Sequence, residues 1–322
     1  MWRSGTSLMY ALLNQHPQVA LLYEGDLLVL RPMFWARSSA PQWTARWEFW
    51  NNAISRHGMK EARLSGCGDR IDRAAECVYE EYAARKAATV CGEKSPNYYD
   101  RMWRLSRMFP DARFLIVWRD PVGVCESVER AAREEDSWFS RKGMMLRALL
   151  GCRVLKRERD RLAKSGVLVH EVQYENLVAD PATETARICE FLNVPSYTEM
   201  ASLEGADRSA IYVAEHHARV RSGEISPTSP QEILPQALKQ KAARYIRMWR
   251  RQSGGSWPFR SASPEIATRE PGLWERLCDA VAYRALRAWD EFVIAIYCFA
   301  PLGILTKFRE MKLRGQRKLV AE

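Results

Sequence analysis

The run Phe114-Leu115-Ile116-Val117-Trp118 is the feature that most restricts how this chain can fold. Its side chains are all apolar and do not alternate with polar ones, which is typical of a strand buried on both faces of a parallel sheet. Pro121 and a pattern of helical period over 121–135 follow it directly. Because parallel strands need crossover connections, which are usually helices, this segment predicts an α/β fold.

The rest of the chain repeats this alternation. Short apolar runs predict further strands at 19–22, 89–91 and 167–172. Helical patterns predict helices at 6–14, 42–57, 72–86, 99–109 and 140–163, and after residue 178 only helices, at 182–193, 231–252 and 273–297. We therefore expect an open parallel sheet flanked by helices in a domain of residues 1–260, followed by a helical C-terminal extension, 261–322.

The composition favours a folded protein with an anionic partner. The 322 residues are 47% hydrophobic and 27% charged, and the formal net charge is +10. Such an excess of positive charge favours binding to phosphate, sulfate, nucleic acid or an anionic membrane surface. The basic residues are scattered and no groove-reading motif is present, so no nucleic-acid partner is expected. No CxxC pair or other cluster of metal ligands is visible, so no metal is expected either.

The cysteines and the ends of the chain bear on its location. Cys125, Cys189 and Cys298 lie among apolar neighbours and are predicted to be small buried thiols in a reducing compartment. The chain does not open on a charged segment followed by an apolar one, and it has no uncharged apolar run of 18 residues. These features predict a cytoplasmic protein.

The opening Met1-Trp2-Arg3-Ser4-Gly5-Thr6-Ser7-Leu8 predicts an anion-binding loop. Glycine allows close approach of the backbone, and free N–H groups at the start of a helix point toward an anion. The same pattern also fits an ordinary helix N-cap. It is not a Walker A loop, because Thr6 follows Gly5 where that motif has lysine, so a P-loop kinase or nucleotide hydrolase is disfavoured.

Three blocks together resemble the sulfotransferase family, in the branch that includes tyrosylprotein sulfotransferases and many bacterial enzymes. The first is Arg3-Ser4-Gly5-Thr6-Ser7 with Leu12-Leu13-Asn14-Gln15-His16-Pro17 and Glu24. The second is Phe109–Pro121 with Ser127, and the third runs from Val167 through Gln173-Tyr174-Glu175-Asn176-Leu177 to Asn193-Val194-Pro195. Asn193 stands where the family usually has glycine, and asparagine tolerates the same left-handed helix end.

The resemblance implies a P-loop-like fold and transfer of a sulfuryl group from 3′-phosphoadenosine 5′-phosphosulfate (PAPS), the co-substrate, to a hydroxyl on a sugar, lipid or other alcohol. The implied catalytic residues are Glu24 as base, Lys94 near the bridging oxygen and Arg3 near the phosphosulfate. The implied donor-binding residues are Arg3, Ser4, Gly5, Thr6, Ser7, Arg119, Ser127 and Tyr174, with Arg119 and Ser127 on the 3′-phosphate.

Several residues also allow a purely structural interpretation. Glu24 could be a loop carboxylate or pair with Arg3, and Lys94 could be a surface lysine. His16 precedes Pro17 at a helix end and is predicted to be structural. The aromatic residues Trp43, Trp47 and Trp50 have helical spacing, which indicates core packing, with an acceptor-binding wall as the alternative.

The resemblance also makes the start of the chain unusual. In the family the phosphosulfate loop follows a buried first strand, whereas only Met1 and Trp2 precede Arg3 here. We therefore expect that the first strand is missing, that the chain as given starts too late, and that it is poorly stable and binds its donor weakly.

The C-terminal extension allows two interpretations. Phe292–Leu305 is apolar, and the basic residues Lys307, Arg309, Lys312, Arg314, Arg317 and Lys318 follow it. The segment is either a helix packed on the domain with a solvated basic end, or an amphipathic helix in peripheral contact with the inner face of a membrane. In the second case a non-enzymatic, basic, membrane-associated protein is an alternative to an enzyme.

Overall fold

The structure is a computed structural model that describes residues 1–29, 40–59, 70–133, 138–140, 143–213, 217–225, 234–253, 258 and 269–307. The start of the predicted helix 231–252 and the basic segment after Lys307 therefore lie outside the described residues. The strands are β1 (Val19–Tyr23), β2 (Val90–Lys94), β3 (Phe114–Trp118) and β4 (Val169–Gln173). The helices are α1 (Thr6–Leu13), α2 (Ala40–Asn51), α3 (Ala53–Arg56), α4 (Ile71–Arg85), α5 (Met102–Met108), α6 (Pro121–Ala132), α7 (Met144–Lys164), α8 (Tyr174–Ala179), α9 (Pro181–Leu192), α10 (Ala218–Ser222), α11 (Gln236–Gln252) and α12 (Leu273–Phe299).

The chain divides into two compact units. The first comprises Met1–His16 and Pro96–Leu286, and the second comprises Pro17–Ser95 with the chain from Arg287 onward. In the first unit β3 pairs with β4, and in the second β1 pairs with β2, both in parallel. The predicted α/β class, with short parallel strands flanked by helices and a helical C-terminal region, is confirmed. The boundary near residue 260 stays a prediction.

The core of the first unit forms around β3, as its continuous apolar run predicts. Ile116, Val117 and Trp118 are buried, and α6 and α7 pack against each other beside them. Two sequence signals fix the turn from β3 into α6: Pro121 occupies the first helical position, and the Asp120 carboxylate accepts a hydrogen bond from the Val122 N–H at 3.2 Å. This turn places Arg119 at the carboxyl end of the strand.

The same cap recurs at α9 in the first unit. Pro181 begins the helix, and the Asp180 carboxylate accepts a hydrogen bond from the Thr183 N–H at 3.1 Å. The helix ends at Asn193 with φ 58°, so the predicted left-handed end is confirmed. The short helix α8, which starts at Tyr174, was not predicted, since six residues carry too little periodicity to be recognised.

In the second unit, two tryptophans of α2 belong to the core. Trp43 and Trp47 are fully buried, and their rings stack with centroids 6.4 Å apart. The single helix predicted over 42–57 is divided in two at Asn52, whose φ is 56°. The side chain of Asn51 accepts a hydrogen bond from the Ala53 N–H at 3.1 Å, which satisfies a backbone donor at the start of α3.

The structure confirms the predicted burial of three cysteines and shows a fourth in a disulfide. Cys125, Cys189 and Cys298 are free and buried, as predicted. Burial raises the pKa of the Cys125 and Cys298 thiols to about 12, so both stay protonated. Cys77 is instead disulfide-bonded, which spacing alone did not indicate.

Candidate active site

The loop before α1 adopts a strained backbone in the first unit. Arg3 has φ 60° and Gly5 has φ 94°, both in the left-handed region. The Ser4 hydroxyl donates to the Met1 carbonyl at 2.8 Å and fixes the turn. Because Gly5 is the N-cap, the cap residue places no side chain over the N-terminus of α1. Such a helix end, with its N–H groups and partial positive charge, is suited to an anion.

The Tyr174 ring lies directly against this loop. A Cβ added to Gly5 would stand 2.2 Å from Cδ2 of Tyr174, so only glycine fits at this position. On the same ring the Arg119 guanidinium carbon lies 4.4 Å from the centroid, a cation–π contact. The contacts of Tyr174 therefore connect the loop with the end of β3.

Hydrogen bonds join the predicted donor-binding residues of the first unit. Arg119 Nη1 donates to the Arg3 carbonyl at 3.0 Å, and Arg3 Nε donates to the Ser127 hydroxyl at 2.9 Å. Ser127 and Arg119 are buried, and burial lowers the pKa of the Arg119 guanidinium, which still remains charged near neutrality. The sequence predicted that Arg119 and Ser127 meet at one phosphate; the bond seen at Ser127 comes from Arg3.

This cluster fits an anion with more than one charged group. Two guanidinium groups, a buried hydroxyl and the N-terminus of α1 are the donors that bind phosphate and sulfate in proteins. The close approach at Gly5 adds a backbone surface without a side chain. The residues present are therefore compatible with PAPS as a co-substrate.

A second predicted group lies in the second unit, at the carboxyl ends of β1 and β2. The strands are paired so that Tyr23 lies opposite Lys94, and the Glu24 N–H donates to the Lys94 carbonyl at 2.7 Å. The Lys94 ammonium forms an ion pair with the Glu24 carboxylate and lies 3.9 Å from the centroid of the Tyr23 ring. The Lys94 side chain is 9% exposed, so it is not a surface lysine.

Electrostatics favour an active-site role for this pair. Burial lowers the pKa of Lys94, and the neighbouring Glu24 charge opposes that shift. Glu24 has φ 46°, and its carbonyl accepts hydrogen bonds from Asn51 Nδ2 at 2.5 Å and Arg56 Nη2 at 2.9 Å. An ion pair on a fixed, unusual backbone is typical of catalytic groups.

Sequence reasoning did not identify two acidic residues beside this pair. Glu93 accepts a hydrogen bond from the Tyr79 hydroxyl at 2.9 Å, and burial, then the Asp26 charge, raises its pKa to about 8. Asp26 accepts hydrogen bonds from Trp50 Nε1 at 3.1 Å and the Ser95 hydroxyl at 2.5 Å. The available signal was a glutamate just after the predicted strand 89–91, directly before Lys94.

A comparison of the sequence with models of protein families gives a match that includes these motifs. The model of the sulfotransferase family matches residues 1–199, which hold all the residues described above. The chain belongs to the sulfotransferase family. Its assignment to the tyrosylprotein branch stays a prediction.

Two solved structures are similar to this sulfotransferase. The sulfotransferase domain from the curacin biosynthetic pathway is 17% identical, with 76% of this chain and 94% of that chain covered and a TM-score of 0.47. The sulfotransferase domain from the Synechococcus PCC 7002 olefin synthase is 20% identical, with 74% and 90% covered and a TM-score of 0.45. No curated protein sequence matches.

Two further groups of residues in the sulfotransferase lie where the sequence predicts. His16 Nε2 lies 2.8 Å from the Pro195 carbonyl, a contact that agrees with the predicted structural role. Trp43 and Trp47 are core residues, also as predicted. Within the described parts of the chain, no group of three or more His, Cys, Asp or Glu residues could hold a metal ion.

Proposed function

We propose that this sulfotransferase moves a sulfuryl group from PAPS to a hydroxyl acceptor. The observation that carries the proposal is the contact of Arg3 with Ser127 and of Arg119 with both Arg3 and Tyr174, around the glycine that begins α1. PAPS has negative charge at its 5′-phosphosulfate and at its 3′-phosphate. Two arginines and a helix N-terminus in a chain of this family support binding of both groups.

The roles of the individual residues belong to the same proposal. Arg3, Ser4, Gly5, Thr6 and Ser7 bind the phosphosulfate. On the 3′-phosphate side, Arg119, Ser127 and Tyr174 complete the donor site.

The ion pair of Glu24 and Lys94, which is partly buried, performs the acid–base and charge-stabilising chemistry. Glu24 accepts the proton of the acceptor hydroxyl as that oxygen forms a bond to sulfur and the bond from sulfur to the bridging phosphate oxygen breaks. Lys94 and Arg3 stabilise the negative charge that remains on the bridging oxygen. The acceptor is a hydroxyl of a sugar, a lipid or another alcohol.

Calorimetry tests the donor. The chain is titrated with adenosine 3′,5′-bisphosphate and, separately, with ATP, each with EDTA and with added Mg²⁺. We expect the bisphosphate to bind regardless of Mg²⁺ and more tightly than ATP. Tighter binding of ATP that requires Mg²⁺ would support the kinase alternative and contradict the proposal.

A further inference from the structure

The polar and apolar sides of α12 are reversed relative to an ordinary surface helix. The helix runs over 27 residues, about 40 Å at 1.5 Å per residue. Surface helices normally turn apolar residues inward and charges outward. The exposed face of α12 consists of Leu273, Trp274, Leu277, Cys278, Ala280, Val281, Ala282, Arg284, Ala285, Ala288, Trp289, Phe292, Ile296 and Phe299. Arg284 is the one charged residue in this exposed face, and the whole of α12 is described.

The bulky side chains in the exposed face of α12 are largely accessible to solvent. Trp274 is 77% exposed, Val281 65%, Trp289 62% and Phe292 56%. A contiguous exposed apolar surface of this kind marks a site of interaction with a protein or a membrane.

The acidic residues of α12 are paired with cations of the protein. Asp279 pairs with Lys241 at 2.7 Å and accepts a hydrogen bond from the Tyr245 hydroxyl at 2.8 Å, and Glu275 pairs with Arg244 at 2.6 Å. Further along, Arg287 pairs with Asp290 and Glu291. The acidic groups of the helix are thus neutralised by neighbouring cations and do not make the exposed face repel an anionic surface.

The other end of α12 is held by its backbone and by buried side chains in the second unit. Arg46 donates to the carbonyls of Tyr297 at 2.7 Å and Ala300 at 3.1 Å, and Ile294 and Cys298 are buried. The sequence offered packing on the domain and contact with a membrane as alternatives. The helix packs with one side and leaves its apolar side exposed, so the two are compatible.

We propose that the exposed face of α12 docks on an anionic lipid surface, with the helix axis parallel to the membrane. Tryptophan and phenylalanine on one side of a helix are suited to the boundary between headgroups and acyl chains. The sequence after α12 adds Lys307, Arg309, Lys312, Arg314, Arg317 and Lys318, against Glu310 and Glu322. Basic residues next to an apolar face attract anionic headgroups.

Charge decides between this partner and a second copy of the chain. A lipid surface with anionic headgroups is attracted by the apolar face and by the basic segment. A second copy is attracted only by the apolar face, and its own net charge of +10 opposes the approach. Because no described helix is long and apolar enough to cross a membrane, the proposal is limited to surface contact.

Vesicle co-sedimentation of the full chain tests the proposal. We expect binding to vesicles of phosphatidylcholine with phosphatidylglycerol, with at least tenfold weaker binding to phosphatidylcholine alone and weaker binding at high salt. The double variant Trp289→Glu/Phe292→Glu should lose at least tenfold in binding to the anionic vesicles. The matched control Leu168→Glu/Val213→Glu makes the same change at apolar residues that are 56% and 86% exposed outside α12, and it should bind as the wild type does.

The basic segment is tested separately. Replacing Arg309, Lys312, Arg314, Arg317 and Lys318 by glutamine should weaken binding to anionic vesicles at least tenfold and reduce its dependence on salt. Neither assay contains a sulfuryl donor or acceptor, so the result is independent of the proposed function.

A fluorescent label on Cys278 gives a readout that does not depend on disrupting the face. Cys278 lies in the exposed face and Cys91 is exposed elsewhere. The Cys91→Ser and Cys91→Ser/Cys278→Ser variants are labelled with an environment-sensitive thiol probe. Subtracting the emission spectrum of the second variant from that of the first gives the emission of the probe on Cys278. This emission should shift to shorter wavelength when anionic vesicles are added.

Three results would overturn the proposal. The first is no binding to anionic vesicles, and the second is equal binding of wild type and Trp289→Glu/Phe292→Glu. The third is a dimer, seen by analytical ultracentrifugation, that this double variant dissociates while vesicle binding and the Cys278 signal remain unchanged; that outcome would assign the face to a second copy.

Discussion

The ring of Tyr174 occupies the space that a side chain on Gly5 would need. A Cβ on Gly5 would lie 2.2 Å from Cδ2 of Tyr174, in a backbone conformation with φ 94°. The contact joins the N-cap residue of α1 to the first residue of α8. In this way a tyrosine far along the sequence packs against the loop that we propose to bind the donor.

Gly5→Ala should therefore damage the donor site more than a glycine replacement usually does. An alanine with positive φ costs about 1–2 kcal/mol by itself, and the overlap with the Tyr174 ring adds to this. We expect binding of adenosine 3′,5′-bisphosphate to fall at least tenfold by calorimetry. Gly166→Ala is the matched control, since Gly166 has φ 70° and a Cβ there would contact nothing within 4 Å; an equal loss in both variants would contradict the role of Tyr174.

Arg119→Ala should weaken binding of the same nucleotide by about 1.5–3 kcal/mol, the value of a hydrogen bond to a charged group. The variant also loses the bond to the Arg3 carbonyl and the contact with Tyr174. Arg113→Ala is the control, because Arg113 is exposed and its Nη1 donates to the Phe191 carbonyl at 2.8 Å, away from this cluster. Unchanged affinity in Arg119→Ala would refute the assignment of Arg119 to the donor site.

Glu24→Gln should lower turnover by roughly 10²–10⁴-fold while leaving nucleotide affinity within a few-fold of wild type. The amide keeps the shape of the side chain but cannot take a proton from the acceptor. Sulfuryl transfer and nucleotide binding are measured on the same preparation, with Glu80→Gln as an exposed control. If turnover in Glu24→Gln survives nearly intact, another residue is the base.

Glu93→Gln should make stability less dependent on pH. Burial raises the pKa of Glu93 to about 8 from 4.5, so the folded chain binds more protons than the unfolded chain between these values. The stability from this group is complete below the lower value and is lost as the pH rises through the higher one.

Thermal unfolding between about pH 5 and pH 8 checks this sign. The wild type should lose more stability over that range than Glu93→Gln, in which the Tyr79 hydroxyl can still donate to the amide oxygen. Glu190→Gln, at an exposed position, is the control and should follow the wild type. Parallel pH curves for Glu93→Gln and wild type would show that Glu93 is ionised in the folded chain.

The sequence alone determined those features that depend on neighbours along the chain. The apolar run Phe114–Trp118, the caps at Asp120 and Asp180 and the helix end at Asn193 were all readable, because each is set by interactions within a few residues. Three motifs in the right order carried the resemblance to the sulfotransferase family, and the donor-site residues were implied by that resemblance.

The tertiary structure decided the contacts between distant residues. Arg3 rather than Arg119 bonds Ser127, the partly buried Lys94 lies over the ring of Tyr23, and Glu93 is held near Asp26 with a raised pKa. Burial and charge at these positions depend on side chains up to 124 residues apart in sequence, which no local pattern encodes. The sequence showed that Phe292–Leu305 is apolar, and only the pairing of Asp279 with Lys241 and of Glu275 with Arg244 decided that the apolar side of α12 is exposed.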